Sequence, residues 1–356
     1  MRTSLVVFVA LLSASVGANP AQNPTAKSQP NIVILATGGT IAGAGTGGAG
    51  YTSGQFKVED LIAAVPGIEK VANLKGEQVA NIGSQDMNDE VWLKLATRAN
   101  ELLDRKDVDG IVITHGTDTM EETAYFLDLV VKSTKPVVLV GSMRPATAVS
   151  ADGPGNLFDA VAVAADPVAR GRGVLVVMND TIHNARDVVK MNTTSLETFE
   201  SPNRGPAGVI VEGSKVRWYE PSTKKHTTSS EFSVNGRDAL PRVDIIYAHS
   251  NMDATLINDA LKDGARGLVI AGVGDGNMPK CALDALTKAA REGIVVVRST
   301  RLPTGPVLRN AEVKDDELGL VASGELNPGK SRVLAMLALT TPRHSANDVQ
   351  RMFTQY

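Results

Sequence analysis

The sequence predicts an α/β protein of two domains, a larger N-terminal parallel-sheet domain and a smaller C-terminal α/β domain. Three observations carry that expectation. Apolar runs at 31–36, 110–114, 136–141 and 173–178 are near-continuous, as strands covered on both faces require. Helical spacing fills gaps between them, so strand and helix alternate. A polar, irregular stretch then interrupts the pattern before it resumes, which divides a chain of 356 residues between two cores.

The elements follow in order. Met1-Arg2-Thr3-Ser4 is short and basic, Leu5 to Leu12 is apolar, and Val16-Gly17-Ala18 fits a small-residue cleavage site. Residues 1–18 thus read as a secretory signal peptide, too short for a membrane anchor, and imply a periplasmic or secreted protein. Residues 19–30 read as a flexible polar tail. The N-terminal domain is expected over 31–201. Within it, Asp89 to Leu103 places Trp92, Leu95, Ala99 and Leu102 at helical spacing, and Glu121 to Val131 does so with Ala124 and Leu127. Residues 202–240, with Pro206, Pro221 and Lys224-Lys225-His226, read as a linker. The C-terminal domain is expected over 241–356, with strands at 243–248, 267–273, 294–298 and 319–322 and helices at 254–263, 280–291 and 330–339.

Composition excludes several classes. A net charge of −3 and no basic run leave no nucleic-acid footprint. The five histidines are scattered and form no ligand spacing, so no metal is expected, and no cofactor is expected either. Cys281 is the single cysteine and cannot form a disulfide within the chain. Its apolar helical surroundings, Ala282, Leu283 and Leu286, predict a buried structural thiol.

Two threonines stand where buried strands end in glycine. Ile32 to Ala36 runs into Thr37-Gly38-Gly39-Thr40, and Ile111 to Ile113 runs into Thr114-His115-Gly116-Thr117-Asp118-Thr119. Glycine lets the backbone turn and a ligand approach, and ligands of open α/β sheets sit at the strands' carboxyl ends. Hydroxyls at two such ends point to nucleophilic chemistry. Thr119-x-x-Glu122 reads as a capping box that starts a helix near Met120. Thr117 and Asp118 then precede a helix N-terminus, which favours a carboxylate or oxyanion; Asp118 as a plain cap explains one aspartate, but not the string His115-Gly116-Thr117-Asp118-Thr119 with its own glycine. Lys190 alone reads as a solvated lysine; beside a threonine in a desolvated pocket it can act as a base. Ser84-Gln85-Asp86 in isolation is a capping turn before the Asp89 helix. Tyr51 is either a surface aromatic or a residue that closes over a site.

Two glycine motifs are decoys. Gly43-x-Gly45-x-x-Gly48 has no helix after it, so a dinucleotide fingerprint is disfavoured and a mobile lid over 43–50 fits better. Gly324 to Ser331 matches G-x-x-x-x-G-K-[ST], but Asn327-Pro328 starts a helix, with Asn as cap and Pro in the first position. Gly329 and Lys330 then lie inside the first turn, where they cannot wrap a phosphate.

Together these residues resemble the bacterial L-asparaginase family, in particular its secreted type II members. The likeness rests on Ile34 to Ala42 and Gly110 to Met120. It continues through Asn81 to Met87, Gly141-Ser142-Met143-Arg144-Pro145, Ser150 to Pro154, Arg298-Ser299-Thr300-Arg301 and Phe353 to Tyr356. It implies an amidohydrolase releasing ammonia from L-asparagine, and more slowly from L-glutamine, through an acyl-threonine. It also implies a homotetramer of intimate dimers, with each site shared between two subunits. By motif, Thr40 is the nucleophile, assisted by Tyr51 and by the partner's copy of Glu312. Thr117, Asp118 and Lys190 form a second hydroxyl-activating group. Gly83, Ser84, Gln85, Gly116, Thr117 and Asp118 hold the substrate, with Asn277 reaching in from the partner chain. Backbone N–H groups around Gly39 to Thr40 and Thr117 are the expected oxyanion donors.

Some positions depart from the family pattern. Leu103 and Val131 stand where many type II members carry a cysteine pair. Asn277 stands where relatives with substantial glutaminase activity often carry serine, which tilts the expectation toward asparagine. The glycine-rich lid is shorter than usual, which loosens the alignment of Tyr51. The rivals are a secreted amino-acid binding protein, which would bind without turnover, and an amidotransferase subunit acting on aminoacyl-tRNA. The export signal and the lack of a basic segment weigh against the latter.

Overall fold

The structure, a computed structural model, describes residues 29–45, 51–52 and 54–356, and for Tyr51 the backbone alone. The expected signal peptide, most of the expected tail and the centre of the expected lid lie outside the described residues.

The N-terminal part opens with β1 (Asn31–Gly38), whose carboxyl end runs into a single 3-10 turn at Thr40–Ala42. Short strands β2 (Ala44–Gly45) and β3 (Tyr51–Thr52) pair antiparallel. Then come α1 (Val58–Ala63), β4 (Asn73–Ile82), α2 (Asp89–Asp104), β5 (Gly110–Thr114) and α3 (Met120–Val130). They are followed by β6 (Val137–Val140), α4 (Gly153–Ala165), β7 (Val174–Met178) and β8 (Thr181–Asn184). A two-stranded pair, β9 (Val189–Lys190) and β10 (Phe199–Glu200), and a hairpin, β11 (Gly208–Val211) and β12 (Lys215–Trp218), complete this half.

The main sheet has the order β12-β11-β8-β7-β6-β5-β1-β4, and its five strands from β7 to β4 run parallel. Alternate residues of one strand feed different cores, which explains the unbroken apolar runs. Val33 and Leu35 of β1 pack on the side of α2 and α3, whereas Ile32, Ile34 and Ala36 pack on the side of α1 and α4. β5 repeats the division, with Ile111 and Ile113 on one face and Val112 on the other. Leu103 and Val131 are both buried in the first of these cores.

The C-terminal part contains β13 (Val243–Tyr247), α5 (Thr255–Lys262), β14 (Gly267–Gly272), α6 (Lys280–Arg291) and β15 (Val295–Thr300). It ends with α7 (Asp315–Leu318), β16 (Val321–Ala322), α8 (Pro328–Ala338) and α9 (Ala346–Gln355). Its four parallel strands lie in sequence order. One face packs on α5 and α6 through Leu268, Ile270, Ile257 and Leu286. The other packs on α8, whose Val333, Leu334 and Leu337 share one continuous core with α3. That helix therefore belongs to both halves.

Three expectations need correcting. The segment 202–240 is more than a linker, because β11 and β12 extend the main sheet from within it. The helix after Thr117-Asp118 does start at Met120, but the capping box is not formed; the Thr119 hydroxyl donates to Ser84 O at 2.7 Å instead. Cys281 is exposed, since Ala282, Leu286 and Ala289 define the buried face of α6 and position 281 is turned away from it.

Candidate active site

The chain leaves β1 for β4 on one side and then crosses to β5 on the other, so β1 is a point where strand order reverses. A crevice opens beyond the carboxyl ends of strands at such a point. The segments that meet there are Gly38 to Thr40, Gly83 to Gln85 and His115 to Asp118.

Their approach is close enough to require glycine. Gly39 has φ of 82°, its N–H donates to Ile82 O at 3.0 Å, and a Cβ on it would lie 2.4 Å from Gly116 N. A Cβ on Gly116 would in turn lie 2.5 Å from Ser84 Oγ. Each glycine is followed by a threonine, so this contact carries Thr40 and Thr117 to one rim, 6% and 5% exposed. Below the rim, the Thr37 hydroxyl donates to Thr114 O at 2.9 Å and ties the ends of β1 and β5. His115 is wholly buried, with Nδ1 2.6 Å from Gly116 O, and burial pushes its pKa down to about 4, so it is neutral.

Thr117 meets a charged pair. Lys190 Nζ donates to Thr117 Oγ1 at 2.9 Å and to Asp118 Oδ1 at 2.6 Å. The lysine side chain is 17% exposed and the aspartate 57%, so the pair runs from the half-buried rim out to the surface. Lys190 lies on the two-residue strand β9, and its backbone N–H donates to Glu121 Oε2 at 2.7 Å. Sequence reasoning missed Glu121, which reads there as an ordinary first-turn acid of α3.

Ser84 begins a 3-10 turn over Ser84–Asp86. Its hydroxyl accepts from Asp118 N–H at 3.1 Å, which joins the β4 and β5 loops. The Gln85 side-chain amide folds back over Gly83, where a Cβ would lie 2.4 Å from its nitrogen. Gly83, Ser84, Gln85, Gly116, Thr117 and Asp118 are thus contiguous. The Tyr51 backbone pairs with Gly45, and its side chain lies outside what is described.

Asn277 and Glu312 form a separate group in the C-terminal half, where the Asn277 amide donates to the Glu312 carboxylate. Among the described residues, neither side chain hydrogen-bonds Thr117, Asp118, Ser84 or Lys190. Their loops are clamped by the buried pair Arg298–Asp315, with Arg298 also donating to Asp275 O at 2.9 Å and Leu308 O at 3.1 Å. The phosphate-loop decoy resolves as a capped helix: Asn327 Oδ1 accepts from Lys330 N–H at 3.0 Å, and the lysine side chain is buried. No group of three or more His, Cys, Asp or Glu that could hold a metal ion occurs among the described residues. No helix among them is long and apolar enough to cross a membrane.

The chain as a whole is similar to known proteins. Residues 31–224 match the family described as asparaginase, N-terminal, and residues 242–353 match the glutaminase/asparaginase C-terminal domain. The probable periplasmic L-asparaginase of Haemophilus influenzae is 58% identical over 313 residues, covering 87% of this chain and 89% of the relative. L-asparaginase 2 of Escherichia coli is 53% identical, covering 92% and 93%. A glutaminase-asparaginase of Pseudomonas fluorescens is 47% identical with both chains covered in full. With both domain families matched in order and relatives aligned along nearly their whole length, the chain belongs to the asparaginase family.

Proposed function

We propose that the protein hydrolyses L-asparagine to L-aspartate and ammonia through an acyl-threonine on Thr40, with slower action on L-glutamine. The observation that carries this reading is Lys190, within hydrogen-bond distance of both Thr117 and Asp118 on the rim that also holds Thr40. In the reaction the Thr40 hydroxyl attacks the side-chain amide carbon and yields its proton to a neighbouring base, Tyr51 or the Lys190–Thr117 group. The tetrahedral oxyanion is held by backbone N–H groups near Thr40 and Thr117. The C–N bond breaks as a proton passes to the departing nitrogen, and ammonia leaves. Water then attacks the ester, with Thr117 and Lys190 taking its proton, and aspartate is released as Thr40 recovers its hydroxyl.

Ser84, Gln85 and Asp118, together with Gly83 and Gly116, are assigned to the substrate's α-carboxylate and α-amine. Asn277 and Glu312 are assigned to the site of a neighbouring subunit in a homotetramer. In support, they hydrogen-bond each other and not Thr117, Asp118, Ser84 or Lys190 among the described residues. The edge strand β13 also exposes Ile245 and Tyr247 beside Leu256 of α5, an apolar edge of the kind that pairing covers. Export to the periplasm accords with the leader-like sequence and with the periplasmic naming of the Haemophilus relative. The relatives compared are named as asparaginases, which leaves the binding-protein reading without support.

The test is ammonia release by purified protein from L-asparagine and L-glutamine, measured side by side. Turnover of asparagine with the larger kcat/KM is expected. Tight binding of either amino acid without ammonia would refute the assignment.

A further inference from the structure

Lys190 does its work from a strand of two residues, which among the described residues pairs only with β10, another strand of two residues. So short a ladder is marginal by itself, whereas a misplacement of about 1 Å is enough to cost a catalytic group most of its effect. What does hold the segment lies outside it. The turn leading into β9 leaves the carbonyls of Arg186 and Val188 turned inward, and both accept from Lys330 Nζ, the first at 2.9 Å. Two residues further on, the Lys190 N–H donates to Glu121 Oε2 at 2.7 Å. The other oxygen of Glu121 accepts from Asn327 Nδ2 at 2.7 Å, and Asn327 is the N-cap of α8.

Three backbone groups at every second residue, 186, 188 and 190, are therefore satisfied by side chains instead of by a neighbouring strand. Two of the three side chains involved, Asn327 and Lys330, sit in the first turn of α8, the helix shared by both halves. Lys330 is 1% exposed, so its ammonium faces protein alone. A buried charge is tolerated only where its hydrogen bonds are met, and here those bonds go to the two carbonyls of the 186–190 segment. Glu121 and Asp187 supply compensating negative charge.

We infer that Lys330 and Glu121 are positioning residues for the reaction: the first turn of α8 grips the 186–190 segment and sets Lys190 against Thr117. The glycine-lysine motif of the sequence is thus put to use on the chain's own carbonyls. The inference rests on the role proposed above for Lys190.

The experiment uses the full-length enzyme and three variants, Glu121→Ala, Glu121→Gln and Lys330→Met, with ammonia release, melting temperature and the pH profile of kcat/KM as readouts. Glu121→Ala is expected to lower kcat at least about tenfold, with KM within about threefold of the parent. Its pH profile should move on the acid limb as Lys190 shifts relative to Asp118. Glu121→Gln keeps an acceptor for the Lys190 N–H and should recover most of the rate. Lys330→Met should reproduce the kcat loss, and where it fails to fold the Glu121 pair decides alone. A folded Glu121→Ala protein with parental kcat, or one whose rate falls with an unmoved pH profile and no rescue by glutamine, overturns the inference. Lys190→Met separates the two levels. If it keeps full activity, the proposed role of Lys190 fails; if it is inactive while Glu121→Ala is normal, only the positioning inference fails.

Discussion

Lys190 reaches Thr117 across 73 positions of sequence, with its Nζ 2.9 Å from the threonine hydroxyl and 2.6 Å from Asp118. Nothing local brings these residues together. The contact exists because β5 and the segment after β8 end at the same rim, and because α8 holds the second of them in place.

Removal of either hydroxyl should be far more damaging to turnover than to the fold. Thr40→Ala and Thr117→Val are each expected to lower kcat by at least about a thousandfold. Each deletes only a small buried group, so circular dichroism and melting should stay close to the parent. A near-normal kcat in either variant would remove that residue from the mechanism.

The division between Asn277–Glu312 and the threonine rim gives a test of shared sites. Thr40→Ala subunits mixed with Glu312→Ala subunits should regain part of the parental activity through hybrid interfaces. Verified exchange of subunits without recovery of ammonia release would place Glu312 outside the partner's site.

Gly39 and Gly205 provide a matched comparison. Both have positive φ, 82° and 77°, but a Cβ at 205 meets nothing within 4 Å, whereas one at 39 collides with Gly116. Gly205→Ala should therefore cost only the left-handed backbone penalty, about 1–2 kcal/mol. Gly39→Ala should cost about 3 kcal/mol or more and abolish activity, because the two threonine loops must separate. Equal costs in denaturant titration would show that close approach is not what glycine provides.

How much of this was legible in sequence depended on burial. The strands β1, β5, β6 and β7 are covered on both faces and read as unbroken apolar runs. β4 and β12 are the sheet's two edge strands, alternate with polar residues and carry no such signal, while β11 is an apolar run of only four residues inside an otherwise polar stretch. Asn327 was readable as a cap because capping is local. Thr119 was misread because Ser84, brought in by β4, competes for its hydroxyl. Glu121 was invisible for the same reason: its partners, Lys190 and Asn327, lie 69 and 206 positions away.

Acid should weaken the fold partly through His183. The ring is buried, with Nδ1 2.9 Å from Ser201 Oγ, and burial depresses its pKa to about 4. A depressed histidine contributes stability that is complete above its unfolded pKa near 6.5 and is lost as pH falls toward 4. Asp128 acts in the opposite sense, since burial raises its pKa to about 7 and its protonated form favours the fold below that. The parent's own pH dependence mixes these with other buried groups, among them His115, depressed like His183, and Asp159, raised like Asp128. Comparison with His183→Asn isolates the histidine, whose share at pH 5 is on the order of 2 kcal/mol. The variant should lose less stability than the parent between pH 7 and pH 5, and an identical loss in urea titrations would refute the assignment.

The pair Arg298–Asp315 separates stability from site geometry. Both side chains are fully buried and joined by two bonds, at 2.6 and 2.9 Å. Arg298 spends its remaining donors on the carbonyls of Asp275, Gly276 and Leu308, and Asp315 also accepts from Asn310 N–H at 2.9 Å. The ion pair therefore braces both loops that present Asn277 and Glu312. Arg298→Met leaves an uncompensated carboxylate in the interior and should cost about 3–5 kcal/mol. Arg298→Met combined with Asp315→Leu removes that charge and should recover much of the stability, because a buried pair is worth little more than well-packed apolar groups. The carbonyls at 275, 276 and 308 remain without their donor in the double variant. Its KM for asparagine should consequently stay raised even where its denaturation midpoint returns toward the parent's. A double variant with restored stability and parental KM would mean that the loops hold Asn277 and Glu312 without the arginine.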